Sequence, residues 1–297
     1  MAEKNSKVQN LRVLAILAVV LGHCIIIYDS GWRDAYGYTS SFESPFWYAV
    51  KQIINSFQME LFFGISGFCF YYTANKQCRN SINIVEDKVK RLVVPYLSVA
   101  LIWLVPLRVI LGYPAYANME MGTIIKNIFL VKDVGHLWFL PVLFLVFCVA
   151  LPLRNIRNKY VLLLILLVSL FLASFSERVV CYIPRLVLKY FFFFYWGYLL
   201  NMIMRFKLRV FHYSLIIGGL SFLLLIISFL NLSDGFVGIM KSLLVCMMII
   251  LVIPNKRWKV IDYIDKRSFG IYLFHSPALI VGYKWFNYPP FYMCRCK

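Results

Sequence analysis

Charge is scarce in this sequence. Charged residues make up 15% of its 297 positions, and hydrophobic residues 62%. A soluble domain is nearer half apolar, so these proportions exclude an ordinary soluble fold and leave a polytopic membrane protein. Acidic residues are scarcer still, 13 against 31 Lys and Arg, for a formal net charge of +18. In a soluble chain that balance would suggest nucleic acid. Here the cations stand between apolar runs, where orientation in a membrane explains them, and no nucleic-acid partner is expected. A Ser-His-Asp nucleophile elbow, a Walker loop and a dinucleotide-binding glycine pattern are all missing; Gly64-Ile-Ser-Gly67 falls one residue short of the elbow. The eight cysteines are scattered, with only Cys294 and Cys296 close together. That spacing assigns no metal site and no disulfide framework. No cleavable signal peptide is expected, because the first apolar run is too long for one.

What is there is a series of apolar runs. Nine spans are predicted, at 11–28, 54–74, 92–112, 137–153, 160–176, 186–204, 212–231, 236–254 and 268–286. They make one all-α, polytopic transmembrane helix bundle and a single domain over 1–297. The loops sharing a side with the N-terminus are 1–12, 75–91, 154–159, 205–211 and 255–267, and they hold most of the Lys and Arg. That asymmetry predicts a cytoplasmic N-terminus. Loop 29–53 is then outside and rich in acidic and aromatic residues, which suits an interfacial belt or a sugar platform. Segment 113–135 is also outside, and 119–131 is expected at the membrane surface.

The run 11–28 organises the rest. It is long enough for about 27 Å of helix, roughly one bilayer core. Two residues break its apolar character, Arg12 and His23. Eleven positions at ~100° each return almost to the same side, so both lie on one stripe, separated by a rise of roughly 16 Å. Arg at a helix end can simply snorkel, and a lone His can be a packing hydrogen bonder. Ionisable groups inside a membrane are nevertheless costly and usually functional.

Further polar residues punctuate other runs. Glu60, in the second span, sits at a depth similar to His23, so it is expected to reach and orient that imidazole. The alternative is a protonated packing group. Gly64 and Gly67, on or near the Glu60 face, permit close approach of a helix or a ligand. Ser66 reads as helix packing or polar lining. Lys88, Lys90 and Arg91 precede the third span; they are a positive-inside signal or a grip on a phosphorylated cytoplasmic ligand. His136 and Trp138 open the fourth span at the outer interface. Ser268 and His275 share a face of the last span, with Tyr272 one turn before the histidine.

Together these stretches resemble the integral-membrane acyltransferase 3 family of bacterial O-acyltransferases. The matching pieces are Arg12 with ten residues then His23, Leu61-Phe-Phe-Gly-Ile-Ser-Gly-Phe68, Lys90-Arg-Leu-Val-Val-Pro-Tyr96, His136-Leu-Trp-Phe-Leu140 and Ser268-Phe-Gly-Ile-Tyr-Leu-Phe-His275. The resemblance implies an acyl-CoA donor, most simply acetyl-CoA, on the cytoplasmic side. It implies a carbohydrate or lipid-linked sugar acceptor, a bacterial inner-membrane location among lipid, and a need for the Arg12 and His23 positions. The family's usual ten spans exceed the nine expected here; the last is the one lacking.

On that resemblance, the donor phosphates are expected near Arg12, Lys88, Lys90 and Arg91, with Ser268 and His275 along the donor path. His23, oriented by Glu60, either takes a proton from the acceptor hydroxyl or carries the acyl group itself. Ser66, His136 and Trp138 are expected at the substrate. A proton-coupled transporter or flippase with a His23–Glu60 relay is the rival class; a non-catalytic scaffold is a third.

Overall fold

In a computed structural model of the chain, the described residues are 6–25, 44–73, 80–116, 118–203 and 234–286, together with 216, 219, 222 and 223. Among them the secondary structure is helical throughout, with no strand. The helices are α1 (Ser6–Ile25), α2 (Pro45–Asn55), α3 (Gln58–Tyr71), α4 (Ser81–Ile110), α5 (Met121–Phe129), α6 (Phe139–Ala150), α7 (Lys159–Ser174), α8 (Tyr182–Ile203), α9 (Asp234–Val252) and α10 (Lys259–Phe286). Five stretches of the described residues are long and apolar enough to cross a membrane: Ser6–Ile25, Pro45–Tyr71, Ser81–Ile110, Gly135–Asn155 and Gly235–Val252. The chain is an all-α, multi-pass membrane protein. The expected span 212–231 and the tail after 286 lie largely or wholly outside the described residues, as does most of the expected loop 29–53.

Several elements begin earlier than apolar periodicity predicts, among them α1 at Ser6 and α10 at Lys259, and two of them carry a local start signal. The run expected as 92–112 is the second half of α4, whose start at Ser81 is capped by the Asn80 side chain accepting the Ile82 N–H. The cations Lys88, Lys90 and Arg91 are therefore helical and held in fixed directions. Pro95 and Pro106 lie inside α4 without breaking it. Each removes an N–H and crowds the preceding turn. The helix widens to absorb this, the Val94 N–H reaching the Val89 carbonyl and the Val105 N–H the Ala100 carbonyl, five residues back in both cases. The second start with such a signal is α2, which opens on Pro45, a residue pre-set for the first helical turn. The chain then breaks for one turn at Ser56 and Phe57, where the Ser56 hydroxyl donates to the Ile53 carbonyl at 2.7 Å.

Helix packing in a bilayer relies on close approach, since lipid tails are as apolar as leucine. The tightest pair is α3 with α8. A Cβ on Gly67 would overlap the Phe194 carbonyl, and one on Gly197 would overlap the Gly64 carbonyl. The two backbones touch here, and Asn201 of α8 donates to the Phe68 carbonyl at 2.9 Å. Around this seam lies an aromatic core of Phe63, Phe70, Phe192, Phe193, Phe194 and Tyr195, all essentially sealed from solvent. Tyr190 stacks on Phe63 with ring centroids 4.5 Å apart and on Trp138 at 5.3 Å.

The second organising pair joins the first and last helices. Gln9 of α1 donates to Asp262 and Asp265 of α10, Arg12 pairs with Asp265, and His23 meets His275. Contacts advance along both helices together, so α1 and α10 run parallel. The first also grips the segment before α10, with the Asn10 side chain donating to the Pro254 and Lys256 carbonyls.

Candidate active site

The polar stripe of α1 faces a polar stripe of α10. Asp265, Ser268, Tyr272 and His275 follow one another at intervals of three, four and three residues, which keeps them on one helical face. At one end of the shared seam the Arg12 guanidinium sits 2.8 Å from a carboxylate oxygen of Asp265, whose side chain is 2% exposed. At the other end the His23 and His275 rings meet edge to face at 4.9 Å.

The Arg12 end opens into a cavity of about 590 Å³. Its wall includes Arg12, Lys88, Lys90 and Arg91, with Asp265 as its one carboxylate among the described residues. Four cations against one anion make a lining with a formal charge of +3. Lys88 is directed across the Phe147 ring at 3.7 Å, while Lys90 pairs with Glu86 on the rim. The rest of the lining is largely apolar and aromatic and includes Phe62, Phe139, Phe147 and Tyr272. A strongly positive lining beside apolar and aromatic walls has the chemistry to hold a phosphorylated head group with an uncharged tail. Ser66 and Ser268 also line this cavity. Five of the six residues expected to hold the donor are thus together. Ser66, expected with His136 and Trp138, stands instead beside the cations.

His275, the sixth, lines no part of that cavity. It stands between two other histidines, its ring 4.9 Å from His23 and 5.0 Å from His136. The three come from α1, from α10 and from the turn before α6. Each turns a ring nitrogen toward a backbone carbonyl: His23 Nδ1 to Val19 at 2.8 Å, His275 Nδ1 to Tyr272 at 2.8 Å and His136 Nε2 to Leu273 at 3.1 Å. A carbonyl only accepts, so in each neutral ring that nitrogen carries the proton and the other offers a lone pair. On His136 and His275 that second nitrogen is buried with no hydrogen-bond partner among the described residues.

His23 opens onto a second, smaller chamber of about 200 Å³. Its wall holds His23, His136, Trp138, Lys51, Asn55 and Gln58. The last two flank the break between α2 and α3, and Gln58 donates to Asn55 at 2.9 Å. Tyr272 belongs to the walls of both chambers. Its hydroxyl donates to the His136 carbonyl, and its ring packs on Phe139 at 5.5 Å. His136 is itself fixed from behind. The loop leading to it has left-handed φ at Val131, Asp133 and Gly135 (55°, 52° and 55°), which is costly for a β-branched valine. Arg108, 4% exposed, holds that loop through the Asp133 carbonyl at 2.6 Å and carboxylate at 3.3 Å.

Glu60 stands apart from this cluster. Among the described residues no hydrogen bond or ion pair joins it to His23. It occupies the first turn of α3, where its carboxyl faces the N–H groups of Met59 and of Glu60 itself. A carboxylate there satisfies orphan donors and the helix dipole. Lys189 of α8 acts on it as an opposing charge. The expected orientation of His23 is supplied instead by the Val19 carbonyl.

Apolar periodicity missed Asp265, Lys51, Asn55, Gln58 and the double position of Tyr272. Asp265 had a signal, since it continues the Ser268–Tyr272–His275 face one turn back. Lys51 lies where an outer loop was expected, and Asn55 and Gln58 lie at the head of the next span.

A family model described as an acyltransferase domain matches residues 5–293. No curated protein and no solved structure matches the chain.

Proposed function

From the premise that this chain belongs to that acyltransferase family, we propose that it moves an acyl group, most simply acetyl, from acyl-CoA to a carbohydrate hydroxyl. The acceptor is a cell-surface polysaccharide or its lipid-linked precursor, and the setting is a bacterial inner membrane with the basic cavity facing the cytoplasm. One observation carries this reading: the basic cavity and the chamber holding His23 share a wall.

The coenzyme's phosphates lie against Arg12, Lys88, Lys90 and Arg91, where guanidinium and ammonium groups give charge-assisted hydrogen bonds. Asp265 holds Arg12 in place for that contact. The pantetheine arm follows the α1–α10 seam, a rise of roughly 16 Å from Arg12 to His23. His23 acts through Nε2, because Nδ1 is committed to Val19. It removes the proton of the acceptor hydroxyl as the oxygen attacks the thioester carbonyl, then gives that proton to the departing sulfur as the C–S bond breaks, so coenzyme A leaves as the thiol. Trp138 offers a ring face to the sugar, and Asn55 and Gln58 offer amide groups to its hydroxyls.

Labelled acetyl-CoA mixed with protein reconstituted in lipid vesicles tests this. Acceptor-dependent thioester loss, absent in His23→Ala at equal membrane insertion, supports the proposal. Retained activity in that variant would remove His23 from the chemistry. Uptake of label without thioester loss would instead mark a transporter.

A further inference from the structure

Tyr272 is placed by α10 at the junction of the two chambers, and nothing in the chemistry above uses it. It is 6% exposed. Its ring is set between Phe139, centroid distance 5.5 Å, and His136 at 5.7 Å. Its hydroxyl is tied to the His136 carbonyl, a backbone atom that cannot swing away. The ring is therefore a fixed partition rather than a loose flap. The residues on its two sides alternate in the same way: Trp138 faces the outer chamber and Phe139, the next residue, the basic cavity.

Tyr272 is the one residue common to the linings of the two chambers among the described residues, so an acyl group passing directly from the basic cavity toward His23 passes beside this ring. The chamber beyond holds only about 200 Å³, and the acceptor shares it. A chain longer than two or three carbons has its tail pressed on the Tyr272 ring or competing with the acceptor for that volume. We infer that Tyr272 is the specificity-determining residue for the acyl group, admitting short chains to His23 and excluding longer ones. This inference rests on the acyltransfer proposed above. The latch to His136 makes the selection rigid: the partition and the outer chamber's histidine are held as one unit.

The test compares acetyl-, propionyl- and butyryl-CoA with wild-type protein, Tyr272→Ala, Tyr272→Leu and Tyr272→Phe in reconstituted vesicles. One methylene against a fitted wall is worth roughly 10- to 200-fold in kcat/KM. Wild type is expected to lose at least about tenfold from acetyl to butyryl. Tyr272→Ala is expected to recover most of that ratio, with acetyl turnover reduced less than butyryl turnover is gained. Tyr272→Leu, which keeps an apolar side chain, shows the same direction if the alanine variant fails to fold. Tyr272→Phe keeps the ring and loses the latch, so its ratio moves least. An unchanged butyryl-to-acetyl ratio in folded Ala and Leu variants overturns the inference, as does a parallel loss of all three donors. If wild type consumes no acyl-CoA at all, the acyltransfer reading itself fails, and a ratio that stays fixed while acetyl is consumed removes only the partition.

Discussion

Arg12 meets a carboxylate, Asp265, and still faces the cavity with its side chain 34% exposed. A guanidinium has five donors in a rigid fork, so one carboxylate leaves others for a phosphate. Arg12→Ala is therefore expected to raise the donor KM by about ten- to a hundredfold, the range for one charged hydrogen bond of ~1.5–3 kcal/mol. The acceptor KM should move much less, and steady-state kinetics with each substrate varied in turn checks this. Equal changes in both constants would argue against a phosphate role. Arg108 invites a different prediction. It lines neither of the two chambers and instead holds the left-handed loop ahead of His136. Arg108→Ala should lower the melting temperature in detergent, with a loss of ~1.5–3 kcal/mol for its charged hydrogen bonds, and Arg108→Lys should recover only part of it. At this scale the sequence was legible where an ionisable residue interrupted an apolar run, as at Arg12 and His23. It was opaque for Glu60, because depth along a helix says nothing about rotation between helices. The carboxyl meets its own helix start instead.

Among the elements, α3 and α8 approach until their backbones touch at Gly67 and Gly197. No side chain fits between a helix and a carbonyl already in contact, so Gly67→Leu is expected to cost at least the ~1–3 kcal/mol typical of overpacking. The expected readout is a lower melting temperature and less folded protein extracted from membranes, while a surface change such as Phe171→Leu on the exposed side of α7 leaves both unchanged. Gly64 and Gly67 were visible beforehand as small residues allowing close approach; that the visitor is α8 was not. Periodicity gives a helix its buried face and never the name of its neighbour. It also placed several starts too late, two of them at helices with clear local signals. Residues 45–53 looked like loop because acidic and aromatic residues surround them, and 81–91 looked like a basic loop because charge masked a capped helix. In both cases local start signals, Pro45 and Asn80, outweigh composition.

Across the whole molecule, the parallel pairing of α1 and α10 brings residues some 250 positions apart into one seam, Arg12 to Asp265 and His23 to His275. The seam runs from a cavity lined with a formal charge of +3 to a cluster of three imidazoles. Charge at one end and neutral lone pairs at the other suit a ligand with an anionic head and an uncharged reacting end. Screening follows from this layout: the donor KM is expected to rise with added salt between low and physiological ionic strength, while an uncharged acceptor's KM stays flat. Helix class and membrane character were legible in the sequence because hydropathy alone imposes them. The convergence of His23, His136 and His275 was not, since it depends on how three segments are brought together.

The proposed occupancy of the basic cavity by coenzyme A is open to direct measurement. Cys69 lines it beside Arg12, whereas Cys181 is exposed ahead of α8 and outside it. Alkylation of each thiol can be timed by mass spectrometry in the intact protein, with and without saturating coenzyme A. Protection of Cys69 by about tenfold or more, as expected of a ligand held at [L] well above Kd, with Cys181 unaffected and protection lost in Arg12→Ala, is the predicted result. A Cys69 rate indifferent to coenzyme A would contradict the account.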